Sequence, residues 1–461
     1  MKKKLIVILG GGESGIGAAL LAKKNGLEIF VSDSGKISCK NKKILKKYDI
    51  PFEENGHTES FIINKSYKII KSPGISKQNN LIKKIYLMGI PILSELEFGK
   101  YYIDNNSYII GITGSNGKTT TSSIIYNILK KSNKFNVGLA GNIGVSFSKE
   151  VLKKRDLYVL EISSFQIDDS SNFHINIAIL LNITRDHLDI YNNMENYIYS
   201  KFRITCFQNK NDFFIYNYDD PIIRLELNKH NFLPKCIPFS AKKKLSYGFY
   251  LDKNYNLCYK EKKHYNTYYK IRDIYLFNNN IYNIMAALIV SKILDVDNRI
   301  VNSVLKIPQT IEHRMEKIPY VINGVKFIND SKSTNIGSVF FALKNTNNPI
   351  IWIAGGIDKG NNYEEIISVV KKKVKAIICL GVNNLKIYCF FKNIVPIIIK
   401  TNNMKKAVYI SYKLSNPGDN ILLSPACSSF DLFKNYVERG NKFKEEIKNL
   451  FYSKKNEKNR Y

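Results

Sequence analysis

Gly111-Ile-Thr-Gly-Ser-Asn-Gly-Lys118-Thr-Thr-Thr121 is the stretch that decides the fold of this 461-residue chain. It follows a short β-rich run, Tyr108-Ile-Ile110, and opens an apolar segment with helical spacing at Ile124, Ile125, Ile128 and Leu129. A glycine loop between strand and helix lets backbone N–H groups wrap a phosphate at the positive end of the helix. In such a loop Lys118 places its ammonium among the terminal phosphate oxygens, and the hydroxyl of Thr119 or Thr120 faces Mg²⁺. The ordinary P-loop wants glycine where Ile112 stands, which argues against a generic GTPase or kinase. A merely tight strand–helix turn is the alternative.

Toward the N-terminus, Leu5-Ile-Val-Ile-Leu9 runs into Gly10-Gly-Gly-Glu-Ser14-Gly-Ile-Gly17, then an Ala/Leu helix, then Ile29-Phe-Val31 ending at Asp33. Gly10, Gly12 and Gly15 satisfy G-x-G-x-x-G, and an acidic residue follows about 20 residues on. The obvious reading is a dinucleotide-binding Rossmann unit, although the loop specifies a phosphate rather than NAD. Tyr67-Lys-Ile-Ile70 leads into a second tight turn, Ser72-Pro-Gly74. Pro91 to Asp104 reads as a crossover into the next unit.

After the phosphate loop come a glycine-rich turn, Gly138–Gly144 containing Asn142, and an apolar strand, Leu157–Leu160, ending in Glu161-Ile-Ser-Ser-Phe-Gln166. A carboxylate at a strand tip beside a phosphate loop is well placed to hold Mg²⁺. Ile177–Leu181 then leads to Asn182-Ile-Thr-Arg-Asp186-His187-Leu-Asp189, which crowds candidate metal or substrate ligands at another strand end. Residues 210–275 read as exposed hairpins without chemistry. A helix starts near Asn280. Beyond Glu312-His-Arg314-Met-Glu316, Asn323-Gly324 signals a type I′ hairpin, and strands are expected near residues 327, 350, 376, 395 and 420. Glycine or polar turns follow most of them, making a further open α/β sheet. The charged tail after Tyr452 is expected to fray.

Bulk properties set limits. The net charge of +31 comes from lysines spread over the whole chain, with Ile, Asn, Tyr and Phe also abundant. Codon composition explains this more simply than nucleic-acid binding, because no base-stacking motif accompanies the charge. Seven cysteines without a C-x-x-C pair suggest reduced thiols rather than a disulfide framework or zinc site. No apolar run approaches the ~20 residues that span a bilayer, so no membrane insertion and a cytoplasmic location are expected.

Laid out in this way, the chain resembles the ATP-dependent Mur ligases of peptidoglycan synthesis. The resemblance rests on TGSNGKTTT, EISSFQ, NITRDHLD, EHRME, NDSKSTN, AGGIDKG and LLSPACSSFDLFKNY, and covers essentially the whole chain. Within the family it points to the branch that adds D-glutamate to UDP-N-acetylmuramoyl-L-alanine. Another amino-acid-adding branch, for L-alanine or the third residue, is the alternative. A dehydrogenase using the first loop and a basic nucleic-acid binder are the remoter rivals.

The resemblance implies a three-domain α/β fold: a Rossmann-like UDP-substrate domain (1–96), a central ATPase domain (97–309) and a C-terminal Rossmann-like amino-acid domain (310–461). It implies ATP and two Mg²⁺ sites, UDP-N-acetylmuramoyl-L-alanine and D-glutamate as partners, and a monomer serving cell-wall biogenesis. The ATP site takes Gly114, Ser115, Asn116, Gly117, Lys118, Thr119, Thr120, Asn280, Asn283, Arg314 and Asp330, with His313 approaching the γ-phosphate. Thr119 and Glu161 hold the first Mg²⁺ and His187 the second. Ser14, Asp33, Ser72 and Gly74 lie near UDP; Asn142, Ser163 and Gln166 near the muramoyl-alanine arm. Lys332, Thr334, Lys359, Ser429 and Tyr436 form the D-glutamate pocket. Lys201, read from sequence alone as one more surface lysine, matches the position where the family carries a carbamylated lysine that orients the second Mg²⁺. Closure is expected about links near 96 and 309.

Overall fold

Short β-branched and apolar runs alternate with helical segments along the chain, a pattern that folds into open sheets covered by helices. The computed structural model describes residues 5–261, 264–270, 281–307 and 311–458. It contains three such sheets.

The first holds β1 (Leu5–Leu9), β2 (Ile29–Ser32), β3 (Phe52–Glu53), β4 (Ser66–Lys71) and β5 (Ile92–Ser94), in the order β3-β2-β1-β4-β5. All its pairs are parallel. The second sheet orders β14-β13-β12-β11-β10-β9-β6-β8-β7. Its parallel part comprises β6 (Tyr108–Thr113), β7 (Val137–Gly141), β8 (Leu157–Glu161), β9 (Ile177–Leu180), β10 (Phe213–Asn217), β11 (Lys235–Ser240) and β12 (Gly248–Leu251). Antiparallel β13 (Asn256–Glu261) and β14 (His264–Lys270) extend it. The third sheet orders β15-β16-β20-β17-β18-β19, from β15 (Glu316–Lys317), β16 (Lys326–Asn329), β17 (Ile350–Gly355), β18 (Val374–Leu380), β19 (Ile397–Thr401) and β20 (Asn420–Ala426).

The chain forms two compact units. Residues 1–183 and 195–308 make the first; residues 184–194 and 309–461 make the second. In the first, the helix Ile281–Ile293 is buried at every position from Asn283 to Ser291. A helix apolar all round has to be enclosed, and this one joins Ile112, Ile124, Val159 and Ile179 in the core of the central sheet. In the second, Trp352 is buried in the core and donates from Nε1 to Ser424 O at 2.7 Å. Asn323 and Gly324 both take positive φ, as a type I′ hairpin requires.

Several sequence expectations are corrected. Gly138–Gly144 is no mere turn: Val137–Gly141 is an edge strand, pairing with β8. Glycines suit it because a Cβ on Gly138 would meet Glu150 and one on Gly141 would meet Glu161 O. Residues 210–275 are not all exposed hairpins, since β10 and β11 are parallel strands inside the sheet. The tail does not fray at Tyr452; the helix Tyr436–Lys458 runs on, with Phe443 and Ile447 in the core. At the link near residue 96 stands the helix Glu95–Lys100, closed by a capping box between Ser94 and Glu97. Glu97 Oε1 further accepts from the backbone of Ser171 and Asn172. The link near 309 lies outside the described residues. Among the described residues no helix is long and apolar enough to cross a membrane.

Glu95 gives this packed link a pH signature. Its side chain is buried, Oε1 accepts from Ser148 N at 2.5 Å, and Oε2 has no partner. Burial pushes the carboxyl up to about 7, against the pull of the Ser148 bond. The neutral form therefore suits the fold, and stability falls as pH rises through that value. Glu95→Gln is expected to match the parent near about pH 5 and to exceed it by about 3 kcal/mol near about pH 9. Urea unfolding at both pH values measures this; a constant difference contradicts it.

Candidate active site

In the first unit, β6 lies between β9 and β8, so the loop leaving its carboxyl end opens over the crevice where open α/β sheets gather ligands. Gly114 (φ 148°) and Gly117 (φ 88°) carry the loop into the helix Lys118–Ser132. A side chain at Gly117 would be strained by the positive φ, and its Cβ would stand 2.4 Å from Asn283 Oδ1. Lys118 Nζ donates to Gly114 O (2.5 Å) and Ser115 O (3.0 Å) of its own loop.

Asn182, beyond the end of β9, grips the loop from below. Ser115 N donates to Asn182 O at 3.0 Å, Asn116 N to Asn182 Oδ1 at 2.8 Å, and Asn182 Nδ2 to Asn116 O at 3.0 Å. Asn182 lies in the Asn182–Asp189 run of the sequence, where no role was expected of it. Its place just after a strand beside the phosphate-loop strand is the signal that could have found it.

Thr119 Oγ1 donates to Glu161 Oε2 at 2.7 Å, and Asn142 Nδ2 to Glu161 Oε1 at 2.9 Å. Asn142, expected on the muramoyl arm, thus touches the carboxylate proposed for Mg²⁺. Among the described residues no three His, Cys, Asp or Glu side chains gather as a metal site. A hydroxyl and one carboxylate beside a phosphate loop fit Mg²⁺, which takes few protein ligands and completes its shell with phosphate and water.

Lys201 is buried, contrary to its reading as a surface lysine. Its Nζ sits 4.5 Å from the Tyr197 ring centroid, and Tyr197 OH lies 3.1 Å from Ser115 Oγ of the phosphate loop. Lysines are rarely enclosed so completely without a specific role or partner. Among the described residues Asn283 Oδ1, at the loop's edge, is buried without a hydrogen-bond partner. Asn280 lies outside the described residues.

On the first sheet, Asp33 accepts from Gly11 N at 2.6 Å and Gly35 N at 2.8 Å, so it shapes the glycine loop. Ser14 stands in the first turn of the helix Glu13–Lys24. Ser72 Oγ is buried without a partner, while Gly74 is exposed. Ser163 and Gln166 close a capping box at the start of the helix Ser164–Asp168.

In the second unit, Asp186 is not free for a metal. It takes Lys359 Nζ at 3.0 Å and Asn335 Nδ2 at 3.0 Å, and His187 Nε2 is 3.6 Å away. Burial pushes its carboxyl up, but His187, Lys359 and Asn335 together outweigh this and hold it below the usual range. His187 takes a left-handed backbone (φ 55°) at the head of the short helix Leu188–Tyr191. Asp330 accepts from Met315 N and Ser424 Oγ; burial pushes its carboxyl up to about 6, with Ser333 and Arg314 pulling the other way. His313 is buried against Asn329 (Nδ1 to Nδ2, 3.0 Å), and burial lowers its basicity. Lys332 Nζ lies 5.5 Å from the Tyr436 ring centroid. Ser429 is buried, and Thr334 is half-buried.

These features define a nucleotide-using α/β enzyme whose phosphate loop, hydroxyl and carboxylate come from one sheet. Three family descriptions match in chain order: "MurD N-terminal domain" over residues 5–81, "Mur ligase middle domain" over 112–291 and "Mur ligase, glutamate ligase domain" over 313–427. The UDP-N-acetylmuramoylalanine--D-glutamate ligase of Christiangramia forsetii is 46% identical, covering 97% of this chain and 100% of the relative. Proteins of the same name from Bacteroides thetaiotaomicron and Porphyromonas gingivalis are 44% and 42% identical, over 97% and 96% of this chain and 100% and 98% of theirs. Among solved structures, the UDP-N-acetylmuramate-alanine ligase of Thermotoga maritima shares the fold at TM-score 0.61, with 16% identity over 97% of this chain and 99% of that one. The chain belongs to the Mur ligase family.

Proposed function

We propose that this protein joins D-glutamate to UDP-N-acetylmuramoyl-L-alanine with conversion of ATP to ADP and phosphate, a cytoplasmic step in making peptidoglycan precursor. The observation that carries the reading is the Lys118–loop–Thr119–Glu161 constellation, in a chain whose relatives at 42–46% identity bear that activity in their names. Three parts divide the work: 1–96 receives the uridine-linked substrate, 97–309 the ATP and 310–461 the amino acid.

The chemistry follows from charge. A carboxylate and a triphosphate repel, so the residues must neutralise and align them. Lys118 and the loop amides take the phosphate oxygens, while the substrate carboxylate attacks the γ-phosphorus and ADP leaves. The amine of D-glutamate then adds to the acyl carbon, phosphate departs and the amine loses its proton. Thr119 and Glu161 would hold a Mg²⁺, which would offset phosphate charge. In the first unit a carbamylated Lys201 would offer a carboxylate to a second Mg²⁺, and in the second unit His187 would serve as a metal ligand. Lysine Nζ adds to carbon dioxide with loss of a proton, turning a cation into a carboxylate-bearing ligand.

Asn283, Arg314 and Asp330 address the nucleoside; Ser14, Asp33, Ser72 and Gly74 the UDP; Ser163, Gln166 and Asn142 the muramoyl-alanine arm. Lys332, Lys359, Thr334, Ser429 and Tyr436 suit an amino acid with two carboxylates. Phosphate release from UDP-N-acetylmuramoyl-L-alanine and ATP, measured with a panel of amino acids, tests the assignment. D-Glutamate is expected to stand alone; preference for L-alanine, L-lysine or diaminopimelate would overturn it.

A further inference from the structure

The end of β4 carries a buried lysine that the reaction as described leaves unused. Lys71 Nζ lies 2.5 Å from Asp169 Oδ2, and their side chains are only 4% and 7% exposed. The same ammonium donates to Ile75 O at 2.6 Å and Ser72 O at 3.3 Å. Lysine has three N–H donors, and three acceptors surround this one. Those carbonyls bracket the Ser72-Pro-Gly-Ile75 turn, which Ile75 N closes by donating to Ser72 O at 3.1 Å. Ser72 N ties the turn to Leu9 O of β1 at 3.0 Å. Its hydroxyl, buried without a partner, faces Gly10, where a Cβ would come within 2.5 Å of it. Just past the turn, Lys77 Nζ donates to Asp168 O at 2.6 Å.

Asp169 follows the helix Ser164–Asp168, which carries Gln166 beside the central sheet. Its neighbour Asp168 accepts from Ser200 Oγ at 2.7 Å and lies 3.8 Å from Arg203 Nε, a pair that flanks Lys201. The Asp168–Asp169 pair thereby fastens three elements: the Ser-Pro-Gly turn, the helix of Gln166 and the helix of Lys201. Burying an ion pair costs desolvation that apolar side chains would avoid. Burial pushes the Asp169 carboxyl up even with Lys71 pulling it down. Adhesion between the two sheets is thus a poor account of the pair, whereas geometry is a good one.

We propose that Lys71 is a positioning residue for the uridine-linked substrate. With Asp169 it sets the separation between the turn that receives the diphosphate end and the helix that receives the muramoyl-alanine end. The inference rests on the substrate reading given above.

Lys71→Met keeps the apolar stem and removes all three donors. The KM for UDP-N-acetylmuramoyl-L-alanine is expected to rise about tenfold, with the KM values for ATP and D-glutamate within about twofold of the parent. Asp169→Asn keeps shape and an acceptor, and is expected to shift the same constant about threefold. Calorimetric binding of UDP-N-acetylmuramoyl-L-alanine to the full chain, without ATP, accompanies both. A parent protein that fails to bind this compound sinks the substrate reading itself. A parent that binds, with both variants unchanged in affinity and KM, overturns the role of Lys71. A uniform rise in all three KM values with a lowered unfolding midpoint also overturns it. Should Lys71→Met not fold, Asp169→Asn decides by the same criteria.

Discussion

Lys118→Ala is expected to lower ADP formation by about 10²- to 10³-fold, the scale of removing one preorganised charge from a phosphoryl-transfer site. The lysine sits at the head of the helix Lys118–Ser132, and its ammonium donates to the loop carbonyls of Gly114 and Ser115. The loop's shape rests on other groups: glycines at 114 and 117 with positive φ, and the Asn182 clamp on Asn116. Folding should therefore survive the substitution, with the unfolding midpoint within about 2 °C of the parent. Coupled-enzyme detection of ADP and a thermal melt measure the two quantities. Full ADP formation in the variant would mean that the loop does not handle the transferred phosphate.

Lys201→Ala is expected to cost about 10²-fold or more in turnover, and added formate or acetate to restore part of it. The size follows from what the side chain does if carbamylated: it supplies a carboxylate that orients a metal, and loss of such a group costs on the order of 10- to 100-fold or more. The substitution also empties a buried position, which alone destabilises by about 2–4 kcal/mol. Rescue separates the two effects, because a short carboxylate refills the anionic site but does not rebuild a core. Turnover in the variant with and without added carboxylate is the measurement. Unimpaired activity removes the role, and a loss that no carboxylate reverses assigns Lys201 to packing over Tyr197.

The central loop was legible because phosphate binding by backbone amides needs contiguous residues: glycines, a lysine and a hydroxyl in one turn. Glu161 was legible for a similar reason, since it ends an unmistakable apolar strand and β8 lies directly beside β6. The order of strands within a sheet is not written locally, so the reach of Asn182 onto Asn116, across 66 positions, could not be read. Burial is likewise a tertiary property. Lys71 and Lys201 are two lysines among 70 basic residues until the sheets enclose them. Gly138–Gly141 looked like a turn because glycine usually marks one, yet here it lets an edge strand lie against Glu161. The tail looked frayed from its charges, but Phe443 and Ile447, spaced four apart, fix the start of its helix to the third sheet's core.

The central claim is transfer of the terminal phosphoryl group of ATP to a carboxylate before the amide forms. It is tested most directly with UDP-N-acetylmuramoyl-L-alanine carrying oxygen-18 in both carboxylate oxygens, incubated with ATP, Mg²⁺ and D-glutamate. The oxygen that bridges carbon and phosphorus must leave with the phosphate. Mass spectrometry should therefore find one labelled oxygen in the inorganic phosphate and one in the new amide. Amide product accompanied by unlabelled phosphate would contradict the account.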